Sequence, residues 1–181
     1  MKFGIILVTM IIGVAGHGYA CKCGGPWSVE EEFDDTELIV YGKVISKELV
    51  SLQATLQQDK VSGVKDKLKG DIQKLQFFES YNVFEIKFEI IEKYKGTVLL
   101  DTLTIYTVPK AASCGYKFEK GKTYIVYGSK KSDIGFMFLP DADIHKNLEK
   151  ENTFWTNHCT RTTEYNKLEA DKLRKVKMKR G

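Results

Sequence analysis

Four cysteines constrain the fold of this chain more than any other feature, because two of them stand almost side by side. They lie at positions 21, 23, 114 and 159. A disulfide between Cys21 and Cys23 would span a single intervening residue, which disulfide geometry does not permit without strain. Each of these two cysteines is therefore expected to pair with Cys114 or Cys159. The N-terminal segment is thus predicted to be tied to two later parts of the chain.

Residues 1–20 have the features of a secretory signal peptide. Lys2 supplies a positive start, residues 5–14 are apolar, and small residues precede a cleavage point after Ala20. No later segment has the ~18 consecutive apolar residues that a membrane span needs. We therefore expect a secreted, extracellular protein that does not span a membrane, with Cys21 as its mature N-terminus.

Two alternatives bear on these cysteines. A bacterial lipoprotein signal would also place a cysteine at the cleavage point and attach lipid to Cys21, but its recognition box usually carries Leu where Gly18 stands. The thiols could instead bind zinc, but zinc sites usually space paired cysteines by two to four residues, and oxidation competes for the thiols of an exported protein. Two disulfides and a free N-terminal amine are the expectation.

The charge of the chain is mildly positive and unevenly distributed. Lys and Arg number 28 against 24 Asp and Glu, a net charge of +4. This is too mild to indicate a nucleic-acid partner. We expect one domain over residues 21–175, followed by a basic tail at 176–181, which is a candidate contact for an acidic polysaccharide.

Hydrophobic alternation predicts a mostly β fold. Residues 81–94 place Phe84, Ile86 and Phe88 on one face and charged residues on the other, which is typical of a half-buried strand. Further strands are predicted at 38–50, where Gly42 indicates a bend or bulge, and at 98–108, 123–127 and 134–138. Five strands suit a Greek-key barrel of the oligonucleotide/oligosaccharide-binding (OB) type with flanking short helices, although strand count alone does not exclude a sandwich.

Helices are predicted at two places, and a third segment is ambiguous. Ser28 and Glu31 form a capping box that starts a short helix. Residues 163–175 are predicted to form a terminal helix. The polar, Lys-rich segment 51–79 is predicted as a long excursion between the first two strands, either a marginal helix or a mobile loop.

The mature N-terminus has a chemistry of its own. The free α-amine and the carbonyl oxygen of Cys21 can form a five-membered chelate around a metal ion. The amine titrates near pH ~8, so the loss of its proton on metal binding costs little. A catalytic zinc keeps one coordination position open for water. An N-terminus held rigid by disulfides could occupy that position with little loss of conformational freedom.

Several pieces of the chain together resemble the tissue inhibitors of metalloproteinases and the related netrin-like modules. The first piece is the Cys-x-Cys at 21–23. The others follow in the family's order: the strand 37–44, Ile105-Tyr106-Thr107 with the later Ser113-Cys114-Gly115, the strand 124–128, and His158-Cys159 before a helix. The resemblance extends to about residue 170, apart from the excursion 51–79.

This resemblance implies a fold and a site. The fold is a single OB-type barrel strapped by Cys21–Cys114 and Cys23–Cys159 disulfides. Cys21 would chelate the zinc of a target metalloprotease, and Lys22 would enter the first specificity pocket of that protease. The implied protease contact comprises Cys21, Lys22, Cys23, Gly24, Ala111, Ala112, Ser113 and Cys114.

The chain also departs from the family. The animal inhibitors usually carry Thr or Ser where Lys22 stands, and nothing here corresponds to their third disulfide or second, Cys-rich domain. Because burying an unpaired lysine costs free energy, Lys22 favours a target with an acidic pocket. The alternative is a secreted netrin-like binding module that docks a protein or polysaccharide and inhibits no protease.

Nothing in the sequence indicates an enzyme. It contains no nucleophile elbow, phosphate-binding loop or zinc-protease motif, and His17, His145 and His158 lie in no catalytic signature. We therefore expect no catalytic activity and no cofactor. Trp27 and Trp155 are expected to pack at the ends of the barrel rather than to stack on a ligand.

Overall fold

A curled six-stranded mixed sheet forms half a barrel and carries the other elements of the fold. The computed structural model describes residues 23–24, 27–109, 114–130 and 151–180. The strands are β1 (Leu38–Ser51), β2 (Asn82–Lys95), β3 (Thr102–Thr107), β4 (Thr123–Gly128), β5 (Thr153–Trp155) and β6 (Thr163–Glu164), in the order β5-β3-β2-β1-β4-β6. Neighbouring strands are antiparallel except β3 and β5, which are parallel. The mostly β class is confirmed, with six strands in this sheet rather than five.

The long antiparallel pair of β1 and β2 bends the sheet. Each strand has 14 residues, and their pairing contains register shifts at three points. One shift lies between Tyr41 and Gly42, where a Cβ atom on Gly42 would overlap the carbonyl of Glu89 and the ring of Phe88. The bulge predicted at Gly42 is confirmed, and bulges of this kind increase the local twist of a sheet.

The concave face of the sheet holds the main apolar core. Alternate residues of the strands point into it, as the alternation predicted for β2 requires. The buried members are Leu38, Val40, Val44, Ile86, Phe88, Leu103, Ile105, Phe118, Tyr124, Val126 and Phe154.

Two helices cover the other face. Helix α1 (Val29–Asp35) begins with the predicted capping box, in which Ser28 Oγ accepts from the Glu31 backbone N–H at 3.1 Å and Glu31 Oε2 accepts from the Ser28 backbone N–H at 2.7 Å. The last helix (Lys167–Arg180) packs against α1 and the sheet through the buried residues Ala170, Leu173 and Val176. It begins later than predicted, because residues 163–164 pair with β4, and residues 176–180 of the basic tail form its last turns.

The excursion 51–79 is helical. It forms a 3-10 turn (Leu52–Thr55), helix α2 (Gln58–Leu68) and helix α3 (Ile72–Ser80). Its buried apolar residues pack against Val83, Tyr106 and Trp155 and make a second core.

The helix Lys167–Arg180 is called α4 below, because it follows α1, α2 and α3 in the described residues. None of the helices in the described ranges is long and apolar enough to cross a membrane. The predicted signal peptide 1–20 and strand 134–138 lie outside the described residues.

Candidate functional site

A disulfide ties the N-terminal segment to a loop near the C-terminal helix. Cys23 is bonded to Cys159, with 5.1 Å between their Cα atoms, so this pairing is the one the family resemblance implies. Cys114 is also disulfide-bonded. The implied Cys21–Cys114 bond lies outside the described residues, because Cys21 is not among them.

Cys114 lies beside the same loop. The backbone N–H of His158 donates to the carbonyl of Cys114 at 2.5 Å. Gly115 packs so closely on Val108 that a Cβ atom at position 115 would overlap the Val108 carbonyl, and the Tyr116 N–H donates to Thr107 Oγ1 at 2.8 Å. The 114–116 segment therefore runs along the end of β3.

The parallel pairing of β3 and β5 explains why these cysteines meet. Parallel strands end at the same edge of a sheet. The Thr156 N–H donates to the Tyr106 carbonyl at 3.0 Å, which keeps the chain leaving β5 beside the end of β3. Cys23, Cys114 and Cys159 consequently lie at one end of the sheet.

The structure thus brings together three of the residues predicted for the site, Cys23, Gly24 and Cys114. The predicted contact residues Cys21, Lys22, Ala111, Ala112 and Ser113 lie outside the described residues.

The two tryptophans differ in burial. Trp155 is buried and packs on Tyr106 with 5.2 Å between ring centroids, as expected of a packing tryptophan. Trp27 differs, because 44% of it is exposed.

An arginine fixes the N-terminal strap, by which we mean Cys23, Gly24 and Trp27, to helix α4. Arg161 donates from Nε and Nη2 to the two carboxylate oxygens of Glu169 at 2.8 and 2.7 Å. Its Nη1 donates to the Trp27 carbonyl at 2.5 Å. The hydroxyl of Tyr127, on β4, donates to Glu169 Oε1 at 2.6 Å. Strap, sheet and helix therefore share one charge-assisted network.

The charges of this network stabilise one another. Burial alone would raise the pKa of Glu169, but the hydrogen bonds from Arg161 and Tyr127 outweigh burial and hold the pKa below its usual value. The bond to Glu169 raises the pKa of Arg161. Burial, with the adjacent Glu169, raises the pKa of Tyr127. The ion pair is therefore fully charged at neutral pH.

A second buried carboxylate, Glu32 of α1, approaches the same arginine. Burial raises its pKa, and the backbone N–H and the positive charge of Arg161 offset part of this increase. Glu32 is 8% exposed. Its charged form is thus less well compensated than that of Glu169.

Threonine hydroxyls hold the 156–162 loop, which carries Cys159, on β4. Thr156 Oγ1 donates to the Tyr127 carbonyl at 2.8 Å, and the Tyr127 N–H donates to Thr162 Oγ1 at 3.0 Å. Thr156 and Thr162 also share a hydrogen bond of 2.7 Å. The loop that anchors the disulfide is therefore itself anchored to the sheet.

An open cleft of about 460 Å³ lies between the strap and this loop. Its lining includes the Cys23–Cys159 disulfide, Trp27, His158, Thr163, Asn166 and the Arg161–Glu169 pair. In the part of the chain that the structure describes, no group of three or more His, Cys, Asp or Glu residues is placed to hold a metal ion.

The sequence contains no signal for the Arg161 network. Arg161 lies in a loop and Glu169 in a helix, so no helical spacing links them, and Tyr127 is far from both along the chain. Comparison with known proteins finds neither a family model that matches this chain nor a curated protein of significantly similar sequence.

Proposed function

We propose that this chain is a secreted inhibitor of zinc metalloendopeptidases, similar to the tissue inhibitors of metalloproteinases. The observation that carries the proposal is the arrangement of Cys23 and Cys114. Cys23 is disulfide-bonded to Cys159. The Cys114 carbonyl accepts a hydrogen bond from the backbone N–H of His158, the residue before Cys159. One residue of each implied contact segment, 21–24 and 111–114, is therefore held against the same loop.

The strand order supports an OB-type barrel as the finer description of the fold. β1 pairs with both β2 and β4, and β3 runs parallel to β5. An isolated bridge between Ser129, just after β4, and Trp155 of β5 joins two otherwise distant strands of the sheet, with hydrogen bonds of 2.9 and 2.7 Å. Pairing of β4 with β5 is the contact that closes five strands into a small barrel.

In this proposal cleavage after Ala20 makes Cys21 the first residue. Its amine and carbonyl oxygen bind the catalytic zinc of the target and displace the water that occupies the open position. The disulfide at Cys23 and the bond from Arg161 to Trp27 hold the following residues rigid, so little conformational entropy is lost on binding. A disulfide of this kind also fits an oxidising, extracellular location.

Lys22 then selects the target. Its ammonium group would enter the specificity pocket next to the zinc, where a carboxylate must compensate its desolvation. We therefore propose proteases with an acidic pocket as the targets, and we expect Lys22→Thr to shift preference toward apolar pockets.

A specific observation favours the alternative, a binding module for an acidic polysaccharide. Lys172, Lys175 and Lys179 recur at spacings of three and four, which puts them on one face of α4. In the described ranges none of the three forms a salt bridge, whereas Arg174 and Arg180 are paired with Glu92 and Asp34. Ala170, Leu173 and Val176 of α4 are buried, and its exposed apolar side chains, Leu168 and Met178, are ten residues apart, so the exposed part of the helix offers charge rather than a continuous membrane-inserting surface.

One screen separates the two functions. The purified mature protein, with its N-terminal residue verified by mass spectrometry, is assayed against a panel of zinc endopeptidases and, in parallel, for retention on immobilised heparin. The proposal predicts inhibition of at least one protease and an unchanged inhibition constant in Lys175→Ala. Heparin retention that is lost in Lys175→Ala, without inhibition of any protease in the panel, would establish the alternative instead.

A further inference from the structure

The cleft beside the N-terminal strap has two walls that are fixed before any ligand arrives. Cys23 and Trp27 form one wall, and residues 158–163 with the start of α4 form the other. The Cys23–Cys159 disulfide and the bond from Arg161 to the Trp27 carbonyl cross from wall to wall. A preformed site loses little entropy on binding, so even a small ligand can bind measurably.

Trp27 presents a held aromatic surface to this cleft. The Trp27 carbonyl accepts a hydrogen bond from Arg161. A Cβ atom on Gly24 would lie 3.3 Å from Trp27 Cζ2, so the strap backbone packs on the indole. Even so, 44% of the surface of Trp27 is exposed to solvent. Trp155, the other tryptophan of the chain, is 6% exposed. A large, rigid and half-exposed indole is a strong contact surface for a ligand with an apolar face.

The polar groups of the cleft favour a neutral ligand. The charges of Arg161 and Glu169, which both line the cleft, neutralise each other. Among the described residues, the side chains of His158 and Thr163 have no hydrogen-bond partner. Asn166 Oδ1 accepts from the Leu168 N–H, but within the described residues the Asn166 NH2 group has no partner. The walls therefore offer both donors and acceptors without a net charge.

We propose that this cleft binds a neutral saccharide unit of a glycan, stacked on Trp27 and hydrogen-bonded by His158, Thr163 and Asn166. A pyranose ring combines an apolar face of C–H groups with a rim of hydroxyls that both donate and accept. The cleft volume of about 460 Å³ suits one to three sugar rings. The cleft lining includes none of Lys172, Lys175 and Lys179, and the inference does not need Cys21, so it stands whether or not the chain inhibits a protease.

The test uses the full mature protein and three neutral trisaccharides as probes: triacetylchitotriose, maltotriose and mannotriose. Binding is followed by intrinsic fluorescence and by the indole N–H signals in NMR spectra, in which Trp27→Phe identifies the Trp27 signal. Because the cleft is open, we expect saturable binding of at least one probe with a dissociation constant of roughly 0.1–5 mM. The Trp27 signal should move and the Trp155 signal should not.

Variants then locate the binding. Trp27→Ala should weaken binding at least tenfold and Thr163→Val several-fold, whereas Leu168→Ala, an exposed position of α4 outside the cleft lining, should leave it unchanged. An extra Ala before Cys21 should also leave saccharide binding unchanged, which separates this inference from the proposed inhibition. The inference is overturned if none of the probes moves the Trp27 signal at about 10 mM, the range where millimolar binding saturates, or if binding persists in Trp27→Ala.

Discussion

Removal of the Glu169 carboxylate should destabilise the protein far more than removal of an exposed glutamate. Glu169→Ala deletes three hydrogen-bond acceptor contacts, at 2.8 and 2.7 Å from Arg161 and at 2.6 Å from Tyr127. The Arg161 charge and the Tyr127 hydroxyl would both be left without their carboxylate partner. Breaking a buried ion pair costs ~3–5 kcal/mol. We expect the lower end of this range, because the Arg161 side chain is 25% exposed and water can solvate part of its charge.

This loss is measured as a shift in melting temperature. A loss of about 3 kcal/mol corresponds to a decrease of roughly 6–12 °C for a domain of this size. Glu164→Ala is the matched control, because its carboxylate pairs with Lys122 and is 59% exposed. Surface pairs of this kind contribute ~0–1 kcal/mol. If the two variants lose the same stability, the network does not hold the strap, α4 and the sheet together.

The pH dependence gives a second readout of the same pair. The folded-state pKa of Glu169 lies below its usual value, so its stabilisation is present above the unfolded-state pKa and is lost as the pH falls through the folded-state value. The difference in melting temperature between wild type and Glu169→Ala should therefore narrow below about pH 4. A constant difference between pH 7 and pH 3 would contradict the assignment of the loss to the carboxylate charge.

Glu32, Cys159 and the helical segment between β1 and β2 each affect stability in a way that can be measured separately. Glu32→Gln should raise the melting temperature at pH 7, because burial raises the pKa of Glu32 and its charged form opposes folding at that pH. The gain in melting temperature should vanish toward pH 4. A lower melting temperature of Glu32→Gln at pH 7 would contradict this reasoning. Cys159→Ser should lower the free energy of unfolding, measured by chemical denaturation, by ~3–5 kcal/mol, since the lost disulfide joins residues with a sequence separation of 136. Peptide mapping of this variant should find no disulfide between Cys23 and another cysteine. Replacing residues 53–79 by a short turn should lower the melting temperature, because it uncovers Val83, Tyr106 and Trp155; an unchanged value would mean that this helical pair is peripheral.

The strands with regular alternation were predictable because their burial follows a period of two. In β2, Ile86 and Phe88 are buried and Lys87 and Glu89 are exposed, as the pattern requires. The bulge at Gly42 was predictable for a similar local reason, since only a residue without a side chain fits against Phe88 there.

The short strands could not be predicted, because their pairing is set by tertiary contacts. β5 has three residues and forms only where the chain returns beside β3, and β6 has two residues that pair with β4. The segment 51–79 was ambiguous because its apolar residues are loosely spaced: Leu68 is buried in the second core, whereas Ile72 is 64% exposed. Local patterns of this strength do not separate a packed helix from a loop.

The candidate site was partly predictable for a related reason. Disulfide geometry directed each of Cys21 and Cys23 to a distant partner, and the family resemblance implied the Cys23–Cys159 bond that the structure contains. The Arg161 network and the cleft beside Trp27 depend on residues from three separate segments, and only the folded chain brings them into contact.

The most direct test of the central proposal is the effect of one added residue on inhibition. An Ala placed before Cys21 moves the free amine by one residue and destroys the five-membered chelate, while the described fold and the Cys23–Cys159 disulfide are untouched. We expect an unchanged melting temperature and an inhibition constant at least ~100-fold weaker against a protease that the native mature protein inhibits, because the loss is a metal bond rather than a contact at the rim of the interface. Equal inhibition by the extended and the native protein would show that Cys21 does not bind the zinc.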